Sequence, residues 1–495
     1  MGRDIGRDRF SRADFERFSA RLRGCLGVLE DLLRSPGFGE GDATIGAELE
    51  LFLVDRAGRP LFANQKVLHE ALDPRLTYEL DRFELECNLT PVSLGGRPFG
   101  AFGLELREVL ARVARAARAH GGRAAMVGIL PTFRREDFGS RAMTRAARYR
   151  ALSAVLRERR REPFAIRIDG PEPLETASED VALEGANASF QVHLRAPAPR
   201  FAAAYDAAQL AAAPVLAVAG NAPTFLGHRL WHETRIALVK QATDDRPSAG
   251  RRDALPSRVS FGRQWAGTSA AGLFGSLVDR YAPVLPVLSA EEPRAALEAG
   301  RVPGLAELRL HAGTVWLWNR PVYDPTGGGH LRVEMRALPS GPTPVDMLAN
   351  AAFLLGLTLG IAPRAEDWTR GFPFEDAARS FYRAARYGID APLLWPQSPG
   401  GTPEPVPARE LALRLLPLAR EGLRQAGVEA GDADPLLAVL EARVETGQTG
   451  AVWQLRALAA LEPRLGRPGA LAEMFGHYLR LADGGRPVHT WPVPQ

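Results

Sequence analysis

Four short segments of the chain alternate between apolar and polar residues, the pattern of a β-strand with one buried face. Their apolar positions are nearly all aliphatic or aromatic, so one face of each strand is predicted to lie against a core. Their polar positions carry mainly carboxylates, histidine, glutamine, asparagine or arginine, where solvent faces of strands more often carry threonine, serine or lysine. The segments are residues 44–54, 83–89, 188–194 and 331–336.

Other segments have helical or strand-like periodicity, in an irregular order that does not repeat a strand–helix–strand unit. This order favours an α+β fold in which helices flank a mostly antiparallel sheet, with a helical C-terminal region. The segments with helical periodicity are residues 12–35, 104–120, 143–161, 201–219, 229–241, 344–361 and most of 409–482. Further strand-like segments are residues 124–129, 164–169 and 309–323.

A stretch rich in proline, glycine and serine at residues 396–408 is the best linker candidate. The chain is therefore predicted to contain an N-terminal helical segment over residues 1–39 and a catalytic domain over residues 40–395. The linker would be followed by a helical C-terminal appendage over residues 409–495.

The composition is that of a globular protein and gives no sign of a nucleic-acid-binding or P-loop protein. Apolar residues make up 46% of the chain and charged residues 24%, an ordinary globular balance. The 62 basic residues nearly cancel the 58 acidic ones, and no basic cluster indicates a nucleic-acid partner. Neither lysine, Lys66 or Lys240, stands in a P-loop motif.

The chain has two cysteines, Cys25 and Cys87, which fits a reducing compartment. The N-terminus lacks an apolar signal region, and the apolar stretches 211–219 and 348–362 are shorter than a membrane span needs. We therefore expect a soluble cytoplasmic protein with no membrane partner.

The polar faces of the four strands carry the candidate chemistry. Any one of them also fits a half-solvated sheet, but carboxylates two residues apart repel each other and require a counter-charge. Together the four faces predict one concavity. It would contain Glu48, Glu50, Glu84 or Glu86, His193 and Glu334, with Arg332 and Arg336 beside them.

Hard carboxylate oxygens favour Mg²⁺, or Mn²⁺ where a histidine takes part. Arginines beside such metal ions are typical of phosphate binding. These residue types indicate phosphoryl transfer, while a two-metal hydrolase remains an alternative, as does a catalytically silent binding protein.

Several motifs over about residues 40–365 resemble the glutamate–cysteine ligase family, and more closely its bacterial carboxylate–amine ligase branch. The order of these motifs is also that of the wider glutamine synthetase-like superfamily, so the resemblance implies that catalytic fold. The matching stretches are GAELE at 46–50, Glu79 with ELECN at 84–88, FQVH at 190–193 and RVEMR at 332–336. Supporting stretches are GNAP at 220–223, LWHETRI at 230–236 and GTVW at 313–316, with a weaker echo in TGAVWQ at 449–454.

The resemblance implies ATP-dependent amide-bond formation, in which glutamate is activated as an acyl phosphate and an amine such as that of cysteine attacks it. Arg336 would stabilise the transferring phosphoryl group, with Arg332 and Glu334 as further catalytic residues. Arg235 is the candidate clamp for a substrate carboxylate, and Gln191 and Asn88 are further substrate-binding candidates. The implied ligands of two or three Mg²⁺ ions are Glu48, Glu50, Glu79, Glu86, His193 and Glu334.

The spacing of Glu79 and Glu86 imposes a condition on the backbone. The two residues are seven apart, so a straight strand would place them on opposite faces. The chain must bend or bulge between them if both bind metal. Glu84 is the competitor for either position.

Overall fold

Helices and strands follow one another irregularly in this computed structural model, which describes residues 5–247, 256–267 and 269–494. Residues 1–4 of the predicted N-terminal segment and Gln495 of the predicted appendage lie outside the described residues. The helices are α1 Arg12–Arg34, α2 Asn64–Ala71, α3 Pro98–Ala119, α4 Ala147–Arg160, α5 Phe201–Ala219, α6 Thr234–Ala242, α7 Ala270–Arg280, α8 Pro293–Glu298, α9 Ala306–Ala312, α10 Pro344–Ile361, α11 Ala365–Thr369, α12 Phe374–Tyr387, α13 Ala408–Gln425, α14 Ala430–Thr446 and α15 Gly450–Asp483. The strands are β1 Thr44–Asp55, β2 Leu76–Tyr78, β3 Glu84–Asn88, β4 Val92–Ser93, β5 Gly122–Ala125, β6 Phe164–Ile168, β7 Leu174–Ser178, β8 Phe190–Ala196, β9 Thr224–Phe225, β10 His228–Arg229, β11 Val259–Ser260, β12 Trp316–Leu317, β13 Asn319–Asp324, β14 His330–Met335, β15 Pro392–Pro396 and β16 Pro403–Pro407.

A sheet of eight strands runs in the order β13-β14-β8-β1-β3-β2, with β4 and β5 pairing on the ends of β1. Every pair in it is antiparallel. The predicted α+β class with a mostly antiparallel sheet is therefore confirmed. The long strand β1 is the centre of this sheet because it pairs with β8 on one side and with β3 on the other.

The apolar face of the sheet lies against the largest core cluster. Leu49, Leu51 and Val192 are fully buried there, together with residues of α1, α3, α5, α10, α13 and α14. On the opposite face of β1, the carboxylates give way to Phe52 and Val54, which belong to a second cluster with α15. The polar part of that face is therefore confined to one end of β1.

Two helices of the core, α5 and α10, belong to segments long and apolar enough to span a membrane, Ala198–Ala219 and Pro344–Thr369. Both segments are longer than the apolar stretches seen in the sequence. In the most apolar 18-residue window of each, 94% and 78% of the residues are buried inside the protein. Their hydrophobicity is therefore accounted for by packing in the core.

The segment predicted as a linker contains regular structure. Strand β16 spans residues 403–407 and pairs with β15, so residues 392–407 form a two-stranded hairpin. Helix α13 then packs directly against α10, where Gly356 and Gly422 allow the two backbones to approach closely. The C-terminal helices thus share the main core, and the domain limits drawn from the sequence stay a prediction.

The prediction of a strand over the alternating segment 309–323 is wrong for its first residues. Its first residues, up to Ala312, belong to helix α9, and the strands β12 and β13 follow only from Trp316 onward. Leu308 and His311 of this short helix are buried. Tertiary packing therefore overrides the strand-like alternation at this point.

Candidate active site

The polar end of the sheet forms the floor of a cavity of about 620 Å³, a size typical of small-molecule sites. Helix α4, residues 285–289 and helix α9 contribute the other walls. The structure brings nine of the predicted site residues to this cavity. They are Glu48, Glu50, Glu79, Glu86, Asn88, Gln191, His193, Arg332 and Arg336.

Register places the carboxylates of β1 and β3 side by side. Glu50 pairs with Glu86, and Glu48 pairs with Asn88. Opposed residues on one face have Cβ atoms about 5 Å apart, so the side chains of each pair are neighbours. Asn88 donates a hydrogen bond of 2.7 Å from its Nδ2 to Oε1 of Glu86. The amide therefore orients this carboxylate.

On the other side of β1, three residues converge on one point. His193 of β8 pairs with Glu334 of β14, and its Nε2 lies 3.3 Å from Oε1 of Glu48. One ligand atom from each of the three residues lies within 4.8 Å of the other two. Oε2 of Glu48 and Nε2 of His193 are buried without a hydrogen-bond partner among the described residues. This donor set fits a divalent cation.

Glu334 is held by two arginines. Arg320 of β13 donates from Nε and Nη2 to the two carboxylate oxygens at 2.6 and 2.9 Å, and Arg336 donates from Nη1 to Oε1 at 2.7 Å. Burial raises the pKa of Glu334, but the charges of Arg320 and Arg336 outweigh burial and hold it well below its ordinary value. Burial likewise opposes ionisation of Glu48, and the charge of His193 lowers the pKa of Glu48 overall. Both groups are thus ionised at neutral pH.

Glu79 reaches the cavity because the chain turns back before β3. Strands β2 and β3 form a hairpin in which Tyr78 pairs with Leu85, so Glu79 lies in the turn just beyond β2. This hairpin is the bend that the odd spacing of Glu79 and Glu86 required. Burial raises the pKa of Glu79 well above its ordinary value, and the charges of Glu86 and Glu50 raise it further.

Glu84 does not line the cavity. Its partner across the sheet is Phe52, at the point where this face turns apolar, and its side chain is buried with Oε1 unpartnered among the described residues. Burial, with the charges of Glu50 and Glu79, raises the pKa of Glu84 well above its ordinary value. Of the two competing carboxylates, Glu79 is therefore the one that a ligand in the cavity reaches.

Glu50 connects the acidic cluster to the arginines. Its Oε2 accepts hydrogen bonds from the backbone N–H and hydroxyl of Ser189, and its Oε1 accepts one from Nε2 of Gln191 at 2.8 Å. Gln191 in turn accepts a hydrogen bond of 2.5 Å from Nη1 of Arg336. Gln191 therefore fixes the orientation of both neighbours, a carboxylate and a guanidinium.

Arg332 lies on the floor near the rim, and its closest acidic group is Asp324, 3.5 Å away. About a quarter of its side chain is exposed, so it can meet a ligand that enters the cavity. Arg332 and Arg336 both line the cavity, and Arg336 lies directly beside the acidic cluster through its hydrogen bond to Glu334.

Arg235 is placed elsewhere, which corrects the expectation of a substrate clamp. It does not line the cavity, and its side chain is buried in the second core region. Its Nε donates to Oε2 of Glu233 at 2.9 Å, and its Nη2 donates to the carbonyl of Ala337 at 2.6 Å. Because both contacts are internal, Arg235 serves to hold α6 near the end of β14.

Four residues of the site were missed in the sequence. Arg320 lies in a segment whose alternation was visible, but its partnership with Glu334 depends on the pairing of β13 with β14. Glu184 lies in a 3₁₀ turn, and Arg148 and Tyr149 lie on α4. A basic helix and a loop carry no periodic signal that marks them as walls of a cavity.

The fold as a whole is similar to that of solved ligases. A glutamate–cysteine ligase from Francisella tularensis, in complex with AMP, superposes with a TM-score of 0.54 at 11% identity, covering 92% of this chain and 91% of that one. A bifunctional glutathione synthetase from Pasteurella multocida has a TM-score of 0.46 at 11% identity, covering 93% of this chain and 55% of that one. At such identities the likeness concerns the fold alone.

The sequence comparisons are more decisive. No curated protein matched the chain in a sequence search. The model of the family described as glutamate–cysteine ligase family 2 matches residues 44–473, which include the whole cavity floor. Such a match covers well over half of the chain and therefore shows the family. The chain therefore belongs to glutamate–cysteine ligase family 2.

Proposed function

We propose that the protein is an ATP- and Mg²⁺-dependent carboxylate–amine ligase that forms an amide bond through an acyl phosphate. Glutamate is the proposed carboxylate, and cysteine or a similar amino acid the proposed amine. The observation that carries the proposal is the cavity itself, in which Glu48, Glu86 and His193 face a space shared with Arg336. Phosphoryl transfer requires this combination of metal-binding carboxylates and a guanidinium.

Glu48, His193 and Glu334 lie close enough together to hold one metal ion. Glu50, Glu79 and Glu86 line the same cavity and are the proposed ligands of the remaining one or two ions. Carboxylates so close together raise one another's pKa, and a divalent cation removes that repulsion. Mg²⁺ held by these residues would offset the negative charge of the ATP phosphates, and Mn²⁺ is compatible with the histidine.

Arg336 is placed to stabilise the phosphoryl group during transfer. Its guanidinium is oriented by Glu334 and Gln191, two contacts that use the same nitrogen, Nη1. The charges of Glu334, Glu50 and Glu48 raise its pKa against the effect of burial, so it stays cationic. Arg332 is the second cation that would approach the phosphate or the substrate carboxylate.

Activation of the substrate carboxylate as a phosphate requires no nucleophile from the protein. Phosphorylation makes phosphate the leaving group, and the amine then attacks the acyl carbon, so one difficult step becomes two easier ones.

The cellular location belongs to the same proposal. Cys25 and Cys87 are both free and buried, which fits a reducing compartment such as the cytoplasm.

The test measures release of ADP with pairs of carboxylate and amine substrates, starting with glutamate and cysteine. A ligase releases ADP rapidly only when both are present. Hydroxylamine added with glutamate and ATP should trap the acyl phosphate as a hydroxamate. A hydrolase would turn over without ATP, and a binding protein would release no ADP; either result would reject the proposal.

Variants connect the activity to the site. Glu48→Gln and Glu334→Gln should abolish ADP release and hydroxamate formation while the circular dichroism spectrum stays that of the wild type. Glu298→Gln, on an exposed turn of α8 away from the cavity, is the matched control. Turnover retained in both site variants would show that the assigned residues do not form the site.

A further inference from the structure

Glu184 differs from the other carboxylates that line the cavity. Glu48 has His193 within ion-pair distance, Glu50 accepts hydrogen bonds from Ser189, and Glu79 and Glu86 accept hydrogen bonds from neighbouring groups. The carboxylate of Glu184 has no hydrogen bond or ion pair with any residue that the structure describes. It is therefore a carboxyl group without an internal partner, presented to whatever occupies the cavity.

The backbone around Glu184 is held firmly. Its own N–H donates to the carbonyl of Val181, and Nδ2 of Asn187 donates to the carbonyl of Glu184 at 2.7 Å. The next residue, Gly185, lies against Asp81 so closely that a Cβ there would come within 2.6 Å of an Asp81 oxygen. These contacts hold the backbone of Glu184 in place, while its carboxyl group has no partner among the described residues.

Glu184 lies close enough to Glu50 and to Arg336 for both charges to act on its carboxyl group. Burial is the main influence on its pKa, which is raised to about 7, and the nearby charge of Glu50 adds to this while that of Arg336 opposes it. A desolvated carboxylate with no partner gains more than an exposed one from a cation placed beside it.

Glu184 has two buried acids behind it, Asp81 and Glu84, on whose pKa its charge acts, and the cavity wall nearby is apolar. Val181, Leu152 and Leu285 line the cavity and belong to one hydrophobic cluster of α4 and its neighbours. A ligand in this part of the cavity can contact both the carboxyl group of Glu184 and these apolar side chains.

We propose that Glu184 binds the ammonium group of the amine substrate. The acceptor class is then a primary amine that enters in its ammonium form, with its carbon body against Val181 and Leu152. This inference rests on the proposed ligase function and adds to it the residue that recognises the second substrate. The same carboxylate disfavours an anionic group at that end of the acceptor.

The experiment uses two acceptors of different charge. Cysteine carries an ammonium group at neutral pH, whereas hydroxylamine is uncharged and needs no anionic partner. In Glu184→Gln, the KM for cysteine, or for the best amine found with the wild type, should rise about tenfold or more, the loss of one charge-assisted hydrogen bond. Hydroxamate formation should fall much less, and Glu184→Asp should restore part of the affinity.

Three results would overturn the inference. Equal losses with the amine and with hydroxylamine would mean that Glu184 serves an earlier step. A Mg²⁺ requirement raised in Glu184→Gln as much as in Glu79→Gln would make it a metal-binding residue. An unchanged KM for the amine would mean that the acceptor binds elsewhere. If the wild type forms no hydroxamate at all, the proposed function itself fails and this inference with it.

Discussion

Nε2 of His193 on β8 lies 3.3 Å from Oε1 of Glu48 on β1, and both residues keep a buried polar atom without a hydrogen-bond partner in the described part of the chain. Buried polar groups are normally hydrogen-bonded, so these two atoms are candidates for binding a ligand. Glu334 contributes a third ligand atom at the same point. A divalent cation bound there would give Glu48 and His193 the partner that they lack among the described residues.

Replacing the histidine tests that assignment. In His193→Gln, the concentration of Mg²⁺ or Mn²⁺ that gives half-maximal ADP release should rise about 10- to 100-fold, because one ligand of the ion is lost. His477→Gln is a matched control, since His477 lies on α15 and pairs with Glu473 at the surface. A metal requirement that is the same in both variants would contradict the assignment.

Glu79 and Glu84 are a second matched comparison. Glu79 lines the cavity, whereas Glu84 is buried opposite Phe52. Glu79→Gln should weaken metal binding and strongly reduce ADP release, while Glu84→Gln should leave the metal requirement within about twofold of the wild type, as expected for a residue outside the coordination shell. Metal titrations of the two variants show which of the two carboxylates binds the metal ion. A larger effect from Glu84→Gln would reverse the roles of the two residues.

Arg320 acts on the site through Glu334. In Arg320→Met, Glu334 keeps Arg336 but loses two hydrogen bonds, so we expect unfolding to become easier by about 3 kcal/mol. The metal requirement should also rise, because the carboxylate is no longer oriented. Denaturant unfolding and metal titration measure the two effects. Partial recovery of metal affinity in Arg320→Lys would distinguish positioning from simple loss of stability.

Variants of Arg235 distinguish a structural role of this residue from a role in substrate binding. Arg235→Met removes the ion pair of the buried Glu233 and leaves it only the hydrogen bond from the backbone N–H of Asn221, which should cost about 3–5 kcal/mol of stability. The double variant Glu233→Gln with Arg235→Met should regain part of that loss. The KM for glutamate of the folded variants should match the wild type. A raised KM without a loss of stability would restore Arg235 as a substrate clamp.

Asp206 on α5 predicts a dependence of stability on pH away from the active site. Burial raises its pKa to about 7, although the backbone N–H groups of Ala266 and Gly267 donate to it. The folded state therefore keeps a proton that the unfolded chain releases near pH 4, so this group's contribution to stability falls between pH 4 and 7 by about 1.4 kcal/mol per pH unit. Asp206→Asn should lose this slope. Parallel denaturant titrations at several pH values compare the two proteins, and equal slopes would contradict the prediction.

The alternation of residue types was enough to predict the floor of the cavity. In 44–54 and 331–336 the apolar and polar residues separate onto two faces by backbone geometry alone, so the side on which Glu48, Glu50 and Glu334 lie follows from strand periodicity. The helices α5 and α10 followed equally directly from their apolar composition.

Contacts between distant segments depended on register and packing, which no local pattern encodes. The pairing of β13 with β14 joins Arg320 to Glu334, and the β2–β3 hairpin turns Glu79 into the cavity. A buried pairing with Glu233 removes Arg235 from the cavity.

The sequence by itself determined which residues share a strand face and that carboxylates, a histidine and arginines lie on those faces, because side-chain direction alternates with every residue. The tertiary structure decided which faces adjoin, which carboxylates have partners and that Glu184 has none among the described residues. Those properties arise from burial and from contacts between segments far apart in the chain, so they exist only once the sheet and its covering helices have assembled.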